Sequence, residues 1–290
     1  MLYHNDSTSK KNNNGPLRLV GAISITAVIF IILLSRIDFH KVVALMKVSR
    51  MNFILAALLV SIIAHPFISA YRWRKTVNYL GGSLCYKNSL YIILANGPFE
   101  NIIPVKAGKL LKALYLAKVN HLPLSLGTVS VVINFIIGIV SLCLMVITGM
   151  LSLFVLNPFL HLNIKAFGIS GDVTISWWTK LQRKKDNLLS IIKQVRGKAI
   201  GIILALAFFM DFLQMVDFYL LAKAVGIFMP FYKILIFVPM VIMISNLPVT
   251  IAGLGTREAS VLFLFSGYAA KEDLFILGVL FSFVWYILPS

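Results

Sequence analysis

ISNLPVTIAGLGTREAS, residues 244–260, interrupts an otherwise apolar part of this chain with helix-breaking and charged residues. It combines a proline, the pair Gly253 and Gly255, and the adjacent Arg257 and Glu258 between two segments that are apolar enough to lie in lipid. Helix-breaking residues and charges at membrane depth are tolerated only where protein or a water-filled cavity satisfies their polar groups. The stretch therefore predicts an interrupted membrane helix that marks a site.

The composition of the whole chain indicates a membrane protein that crosses the bilayer several times. Of its 290 residues, 59% are hydrophobic and 13% are charged, and the mean hydropathy is +0.91. These values lie outside the range of soluble globular proteins. We expect an all-α transmembrane bundle of about seven or eight spans in the cell membrane, with a cytoplasmic N-terminus. Residues 1–16 are predicted to form a disordered polar tail, and residues 17–290 a single transmembrane domain.

The charge distribution points to lipid headgroups as partners. Lysine and arginine number 27 against 10 acidic residues, but the basic residues lie in short clusters between apolar runs. The positive-inside rule and anionic headgroups produce such clusters, and no basic domain stands apart that would bind nucleic acid. The two cysteines and five histidines show no ligand spacing. We therefore expect no metal and no cofactor.

The first predicted spans are Leu17–Ser35 and Asn52–Ala70. The second contains His65 and Pro66, which indicate a kink with a histidine bonded to a neighbouring helix, or else a proton relay. The aromatic and basic residues 71–75 follow at once, as is typical of an anchor at the headgroup level.

A second stretch repeats the opening pattern. This stretch is NIIPVKAGKLLKA, residues 101–113, and its second half forms the start of a short predicted helix. When the two stretches are aligned, Asn101 matches Asn246, Pro104 matches Pro248, and Gly108 matches Gly253. The matched residues lie 145, 144 and 145 positions apart in the chain. Two apolar segments interrupted by glycine and proline in corresponding halves are typical of transporter binding sites. We expect an internal repeat with two paired broken or re-entrant helices.

Two topologies are open for the middle of the chain. Residues 123–156 would extend about 51 Å as one helix at a rise of ~1.5 Å per residue, which is too long for a perpendicular crossing. In the first topology, residues 89–104 are re-entrant and 123–156 hold a tight pair of helices. In the second, 89–104 cross fully and 123–156 form one tilted helix. The first obeys the positive-inside rule better, and we prefer it.

The next span, residues 199–222, carries acidic groups. Asp211, Gln214 and Asp217 stand at positions i, i+3 and i+6, within about a third of the helix circumference. Acidic groups in a bilayer normally face the bundle interior or a wet cavity. Two roles remain open for Asp211: a structural bond between helices, or a part in binding substrate or transferring protons. The position of Asp217 favours a structural role. Apolar runs at 232–245, 261–268 and 274–288 complete the predicted helices.

Three motifs together match a known family: RW at 72–73, NIIPVKAGKLLKA at 101–113 and NLPVTIAGLGTREAS at 246–260. The chain resembles the lysylphosphatidylglycerol synthase transmembrane-region family, whose flippase-like members also occur without a soluble domain. The resemblance implies paired broken helices around a cavity and a role in moving or presenting lipids. It does not carry over lysine transfer, because these 290 residues contain no aminoacyltransferase domain. Lys109 stands where many relatives are expected to carry an acidic or small residue, and Ile133 and Asn134 fall near an expected acidic–basic pair, which leaves the substrate open.

The leading functional hypothesis is a transporter or flippase for an anionic lipid, either a phospholipid or an isoprenoid-phosphate-linked lipid. Lysines, an arginine and helix N-termini at the broken segments offer positive potential to a phosphate. For Arg257 and Glu258, a structural ion pair is the alternative. The candidate substrate-binding residues are Asn101, Pro104, Lys106, Gly108, Lys109, Lys112, Asp211, Asn246, Pro248, Gly253, Gly255, Arg257 and Glu258.

Two other functions remain as alternatives. A membrane-embedded transferase could use Glu100, Asp211 or Glu258 as general base. No metal motif, nucleophile elbow or phosphate loop accompanies these acids, so an enzyme is not our preferred interpretation, and we assign no catalytic residue. The other alternative is a non-catalytic protein that presents lipid to a membrane-associated transferase.

Overall fold

The described part of the chain is an all-helical membrane bundle. A computed structural model describes residues 50–102, 108–156, 197–247, 250 and 253–288. Within these ranges there is no strand. In chain order the helices are α1 (Met51–Tyr79), α2 (Tyr86–Ile102), α3 (Gly108–Asn120), α4 (Leu124–Leu156), α5 (Gly197–Val225), α6 (Phe231–Ser245), α7 (Thr256–Leu264) and α8 (Lys271–Ser282), followed by a π-helical segment, Phe283–Ile287.

Three of these helices are long and apolar enough to cross a membrane: Met51–Tyr79, Leu124–Ser152 and Ala199–Val225. At about 1.5 Å per residue each is longer than the ~30 Å hydrocarbon core, so the helices tilt or extend into the headgroup region. Large apolar side chains stand exposed on them, among them Leu59 (62% exposed) and Ile63 (59% exposed) on α1. Lipid covers such a surface in a membrane protein. The predicted helix Leu17–Ser35 lies outside the described residues.

The predicted tight pair of helices within residues 123–156 is wrong, because α4 is one continuous helix of 33 residues. Its sequence has no proline, and a reversal within the hydrocarbon would leave backbone groups without hydrogen bonds. The cost of leaving those backbone groups unsatisfied is greater than the benefit of placing the basic residues as the positive-inside rule prefers. Gly149 does not break α4 but lets it approach α6, since a Cβ at this position would lie 2.7 Å from Cγ1 of Ile236.

Two pairs of successive helices pack against each other in the described residues. The helices α2 and α3 pack against each other, and so do α6 and α7. Residues 103–107, between α2 and α3 in the chain, lie outside the described residues. In the second pair, the chain leaves α6 at Asn246 and begins α7 only after Gly255. The predicted helix at 261–268 therefore begins earlier, and Arg257 and Glu258 lie in its first turn.

Aromatic packing fixes the C-terminal helices against α5. The Phe218 ring stacks on Phe265 at 5.2 Å between centroids and meets Phe281 edge to face at 5.1 Å. All three side chains are fully buried. Between helices in a membrane, such close packing replaces the hydrophobic driving force available in water. The cluster thus holds α7 and α8 in a defined position relative to α5.

Candidate functional site

A cavity of about 250 Å³ opens between α1 to α6 and the π-helical segment, and we call it the polar cavity. Its polar and charged lining consists of His65, Ser69, Arg72, Trp73, Lys109, Lys112, Asn134, Asp211, Gln214, Asn246, Trp285 and Tyr286. Its other lining residues are Ile93, Gly97, Val131, Phe135, Gly138, Ile139, Leu142, Met210 and Ile242. The cavity is thus polar and apolar at once, and it lies among membrane helices.

The charges in the described lining are mainly positive. Arg72 comes from α1, Lys109 and Lys112 come from α3, and Asp211 on α5 is the one acidic residue of that lining. The Lys109 ammonium lies 5.6 Å from the centre of the Phe135 ring. Arg72 acts electrostatically on the Asp211 carboxyl, which also lies beside the Ser141 hydroxyl. Three cations against one carboxyl give the cavity a positive potential.

Helix α1 supplies its part of the lining through a polar stripe. His65, Ser69 and Arg72 stand at i, i+4 and i+7, the spacing that places side chains on one helix face. Next to the stripe, Trp73 is buried and its indole N–H donates to the Ser130 hydroxyl at 3.0 Å. The predicted headgroup anchor at 71–75 therefore contributes two residues, Arg72 and Trp73, to the cavity.

The π-helical segment forms another part of the wall. It places two consecutive residues, Trp285 and Tyr286, in the lining, and the Trp285 ring meets His65 edge to face at 5.8 Å. The Ser61 hydroxyl donates to the Val284 carbonyl at 2.5 Å, which ties the segment to α1. Single turns of π-helix occur frequently at functional sites.

Tyr286 is held from two sides. The Gln214 amide nitrogen donates to the Tyr286 hydroxyl at 2.9 Å. The guanidinium carbon of Arg257 lies 3.5 Å from the centre of the Tyr286 ring, which is a close cation–π contact. Arg257 itself is not part of the described lining of the cavity. It acts on the cavity through the tyrosine.

Arg257 and Glu258 belong to a buried network that joins α7 to α8. Both are buried, with exposures of 2% and 1%. The Arg257 guanidinium donates to the Ser282 hydroxyl at 2.9 Å, and that hydroxyl donates to the Glu258 carboxylate at 2.5 Å. The other carboxylate oxygen accepts the backbone N–H of Gly255 at 2.6 Å. Glu258 thus caps the start of α7, and Ser282 links both charged side chains to α8.

Gly253 allows this network to form close to the end of α6. Its φ of +73° lies in the left-handed region, which residues with a side chain rarely adopt. A Cβ there would lie 2.9 Å from the Ser245 carbonyl oxygen and 3.2 Å from Nη2 of Arg257. Only glycine fits between the end of α6 and the guanidinium. Gly255, with φ of +83°, makes the turn into α7.

Comparison with known proteins gives the family of the chain. A family profile described as lysylphosphatidylglycerol synthase TM region matches residues 19–290. The chain belongs to this family. A search of curated proteins found no match.

The structure of this lysylphosphatidylglycerol synthase TM-region protein separates the candidate residues into two groups. Lys109, Lys112, Asp211 and Asn246 line the polar cavity. The second group forms or adjoins the buried network next to Tyr286, and its members are Gly253, Gly255, Arg257 and Glu258.

The remaining candidates on the first repeat are only partly described. Gly108 is buried at the start of α3, and the backbone of Asn101 lies in α2. Pro104, Lys106 and Pro248 lie outside the described residues. The predicted pairing of the two stretches as an internal repeat stays a prediction.

Several residues in the cavity lining of this family member were not predicted from the sequence. Arg72 carried a signal in the i, i+4, i+7 stripe with His65 and Ser69, but its basic neighbours favoured an interfacial anchor. Gln214 stood on the acidic face of α5 without being assigned to the site. Tyr286 carried no signal, because its position in the wall depends on the π-helical turn and on Arg257 behind it.

Proposed function

We propose that the polar cavity binds the phosphate-bearing headgroup of an anionic lipid and that the protein moves this lipid through the membrane. The observation that carries the proposal is the meeting of Arg72, Lys109 and Lys112 in a cavity among membrane helices, opposite the single carboxylate of Asp211 in the described lining. The substrate class is a phospholipid or an isoprenoid-phosphate-linked lipid.

An anionic ligand follows from the electrostatics of the cavity. Cations at membrane depth are costly to desolvate, and they persist where a cavity, a counter-ion or a ligand stabilises them. A guanidinium presents a planar fork of donors, and an ammonium is a compact point charge, so the two together complement a phosphate. The cations come from α1 and α3, and a phosphate between these helices would contact both.

An amphiphile fits better than a free anion, because the lining is also apolar. Phe135, Ile139 and Leu142 of α4 lie on the same wall as Asn134. At about 250 Å³ the cavity is large enough for a headgroup but not for a whole lipid. Hydrocarbon chains gain nothing by leaving the bilayer core for the protein, so they would remain in the membrane beside the exposed apolar helix faces.

Membership of the family supports a role in lipid handling. The family profile concerns the membrane region of an enzyme that modifies a phospholipid, and it matches residues 19–290 of this chain.

Lipid binding tests the proposal directly. Purified protein would be titrated with an anionic phospholipid and followed by native mass spectrometry. We expect the double variant Lys109→Gln and Lys112→Gln to bind at least roughly tenfold more weakly, because each charge-assisted contact contributes about 1.5–3 kcal/mol. The matched control is Lys118→Gln, since Lys118 is exposed on the same helix and does not line the cavity.

The same titration separates the alternatives. Equal affinity in the wild type and in the double variant would contradict the assignment of the cavity as the headgroup site. A change in the mass of the lipid during incubation would indicate a transferase in place of a transporter. If the Lys118→Gln control also lost affinity, the weaker binding of the double variant would be explained by general surface charge and not by the cavity.

A further inference from the structure

Asp217 is a fully buried carboxyl group on α5, within the apolar stretch Ala199–Val225 that is long enough to cross a membrane. Neither of its two oxygens has a hydrogen-bond partner in the described part of the chain. It does not belong to the described lining of the polar cavity. An ionised carboxylate without a partner is among the most costly groups to place in an apolar environment, and it becomes neutral there by binding a proton.

The Asp217 side chain is directed toward α1. It stands seven residues after Met210, so the two side chains share one face of α5. Met210 meets α1 on that face, because its sulfur accepts a hydrogen bond from the Ser69 hydroxyl at 3.4 Å. The two helices run antiparallel, since the Arg50 backbone N–H donates to the Ala224 carbonyl at 3.0 Å. Asp217 therefore lies midway between these two contacts of α1 with α5.

The facing part of α1, residues 57–62, offers no partner to an ionised carboxylate. Its fully buried side chains are Ala57 and Ser61, which are small and allow the two helices to approach closely. The Ser61 hydroxyl has a single hydrogen, and it donates this hydrogen to the Val284 carbonyl. Residues 51–64 contain no ionisable side chain. The carboxyl is thus enclosed between two apolar helix faces.

Charged and titratable groups near this contact belong to the polar cavity or to the buried network. Asp211 and His65 line the cavity, and so does Tyr286, whose hydroxyl already accepts a hydrogen bond. Arg257 and Glu258 are bound to each other through the network that joins α7 to α8. None of them forms a hydrogen bond with the carboxyl on α5.

The other helices packed against α5 bring no charge to the carboxyl. The described helix α4 contains no charged residue. The start of α6, with Lys233, lies against the opposite face of α5, where Phe231 meets Tyr219 at 5.5 Å between ring centroids. The charged residues of α8 stand at 271–273, about 12 Å along that helix from Phe281, which packs on α5.

We propose that Asp217 is a proton-binding site and that the bound proton holds α1 against α5. The proton neutralises the carboxyl, so the two helices can enclose it. Its release would leave an unpaired negative charge between them, which water must stabilise, and α1 and α5 must then separate at this level. Both helices also line the polar cavity, so their separation opens the cavity toward the end of the bundle that contains Arg50 and Ala224. The inference concerns proton binding and does not depend on which ligand the cavity takes.

Infrared spectroscopy of the purified full chain tests for the proton directly. At about pH 7, the spectrum of the wild type minus that of Asp217→Asn should contain the carbonyl band of a protonated carboxylic acid. The matched comparison is Glu272→Gln, which provides the reference spectrum for a carboxyl that is partly exposed to water. A carboxylate band in the Asp217 difference spectrum would overturn the proposal and would indicate a bound cation in place of the proton.

The pH dependence of stability tests what the proton does. Above about pH 4, the folded chain keeps a proton that an unfolded carboxyl loses, so the free energy of unfolding of the wild type should fall as the pH rises. Asp217→Asn is neutral at every pH. Its thermal midpoint in detergent should therefore exceed that of the wild type by a margin that grows by at least about 4 °C between about pH 5 and pH 8.

A margin that stays constant with pH would contradict the proposal. Failure of Asp217→Asn to fold would also contradict it, because an amide replaces the neutral carboxyl with a side chain of the same shape. The control Glu272→Gln should show no growing margin over the wild type.

A distance measurement between α1 and α5 tests the separation of the helices. Spin labels would be attached at Met51→Cys and Phe228→Cys, two exposed positions next to the Arg50–Ala224 contact, after Cys85 and Cys143 are replaced by serine. Raising the pH from about 5 to about 8 should shift the distances to longer values, and Asp217→Asn should abolish the shift. Unchanged distances, or an equal shift in Asp217→Asn, would overturn the assignment of Asp217 as the group that holds the two helices together.

Discussion

The Arg257 guanidinium and the Tyr286 ring are stacked 3.5 Å apart, and only the tyrosine lines the polar cavity. Arg257, in the stretch 244–260, therefore supports the cavity wall through Tyr286 and does not itself line the cavity. Its hydrogen bond to Ser282 fixes the guanidinium, and the guanidinium fixes the ring. The polar motif at 257–258 thus determines the shape of the cavity wall, whereas the cations in the described lining come from other helices.

Arg257→Ala is expected to destabilise the protein. The change removes a desolvated cation–π contact of about 2 kcal/mol and a charge-assisted hydrogen bond of about 1.5–3 kcal/mol, and it leaves Ser282 and Glu258 with fewer partners. Thermal unfolding in detergent should show a midpoint lower by roughly 5–10 °C. Arg257→Lys should recover only part of this loss, because an ammonium lacks the planar face that stacks on tyrosine. Lys271→Ala, an exposed position at the start of α8, is the control. An unchanged midpoint for Arg257→Ala would show that the stack contributes nothing.

Gln214 and Tyr286 should be energetically coupled. Gln214→Leu and Tyr286→Phe each remove one side of the 2.9 Å hydrogen bond between the Gln214 amide nitrogen and the Tyr286 hydroxyl. In a double-mutant cycle of unfolding free energies we expect a coupling of about 1 kcal/mol. Additive effects of the two changes would mean that the bond contributes no stability.

Gly253→Ala is expected to cost about 2–4 kcal/mol in the free energy of unfolding. A φ of +73° costs a residue with a side chain about 1–2 kcal/mol, and the added Cβ would lie 2.9 Å from the Ser245 carbonyl oxygen. Gly267→Ala is the matched control, because no atom lies within 4 Å of its added Cβ and its φ is not positive. If both variants unfold at the same temperature, the close packing at Gly253 is not important for stability.

Gly149→Ala tests the contact between α4 and α6. The new methyl group would lie 2.7 Å from Ile236 Cγ1 and 3.0 Å from the Ile236 backbone nitrogen, so the two helices must move apart at a cost of about 1–3 kcal/mol. Gly201→Ala in α5 meets open space and should be neutral or slightly stabilising, since alanine has the higher helix propensity. Equal unfolding midpoints for these two variants would contradict the close approach of α4 and α6.

The sequence predicted those parts of the fold, and those residues in the lining of the polar cavity, that depend on local pattern. Hydropathy gave the span around Asp211, and the spacing of glycine and proline gave the break after α6. The lysines of α3 were proposed as site residues because they offer positive potential to a phosphate beside a predicted broken segment. For these features, the cost of placing a charge or an unwound backbone in lipid is visible in a short window of sequence.

Features that depend on long-range packing were not predictable in this way. Ser282 and Tyr286 lie 25 and 29 residues after Arg257, and their contact with it depends on how α8 packs against α7. The continuity of α4 was missed because the positive-inside rule describes loops and takes no account of backbone hydrogen bonds within the helix. The role of Arg72 was missed because an interfacial anchor and a cavity residue look alike in sequence.

Transbilayer movement of a labelled anionic phospholipid tests whether the polar cavity serves lipid movement. Liposomes would contain the wild-type protein, the Lys109→Gln and Lys112→Gln double variant, or the Lys118→Gln control, at matched protein abundance. We expect the wild type and the control to accelerate movement over empty liposomes, and the double variant to lose at least about nine-tenths of that acceleration, in line with the tenfold loss expected in binding. Equal acceleration by the double variant, or none by the wild type, would contradict the claim that this cavity moves an anionic lipid.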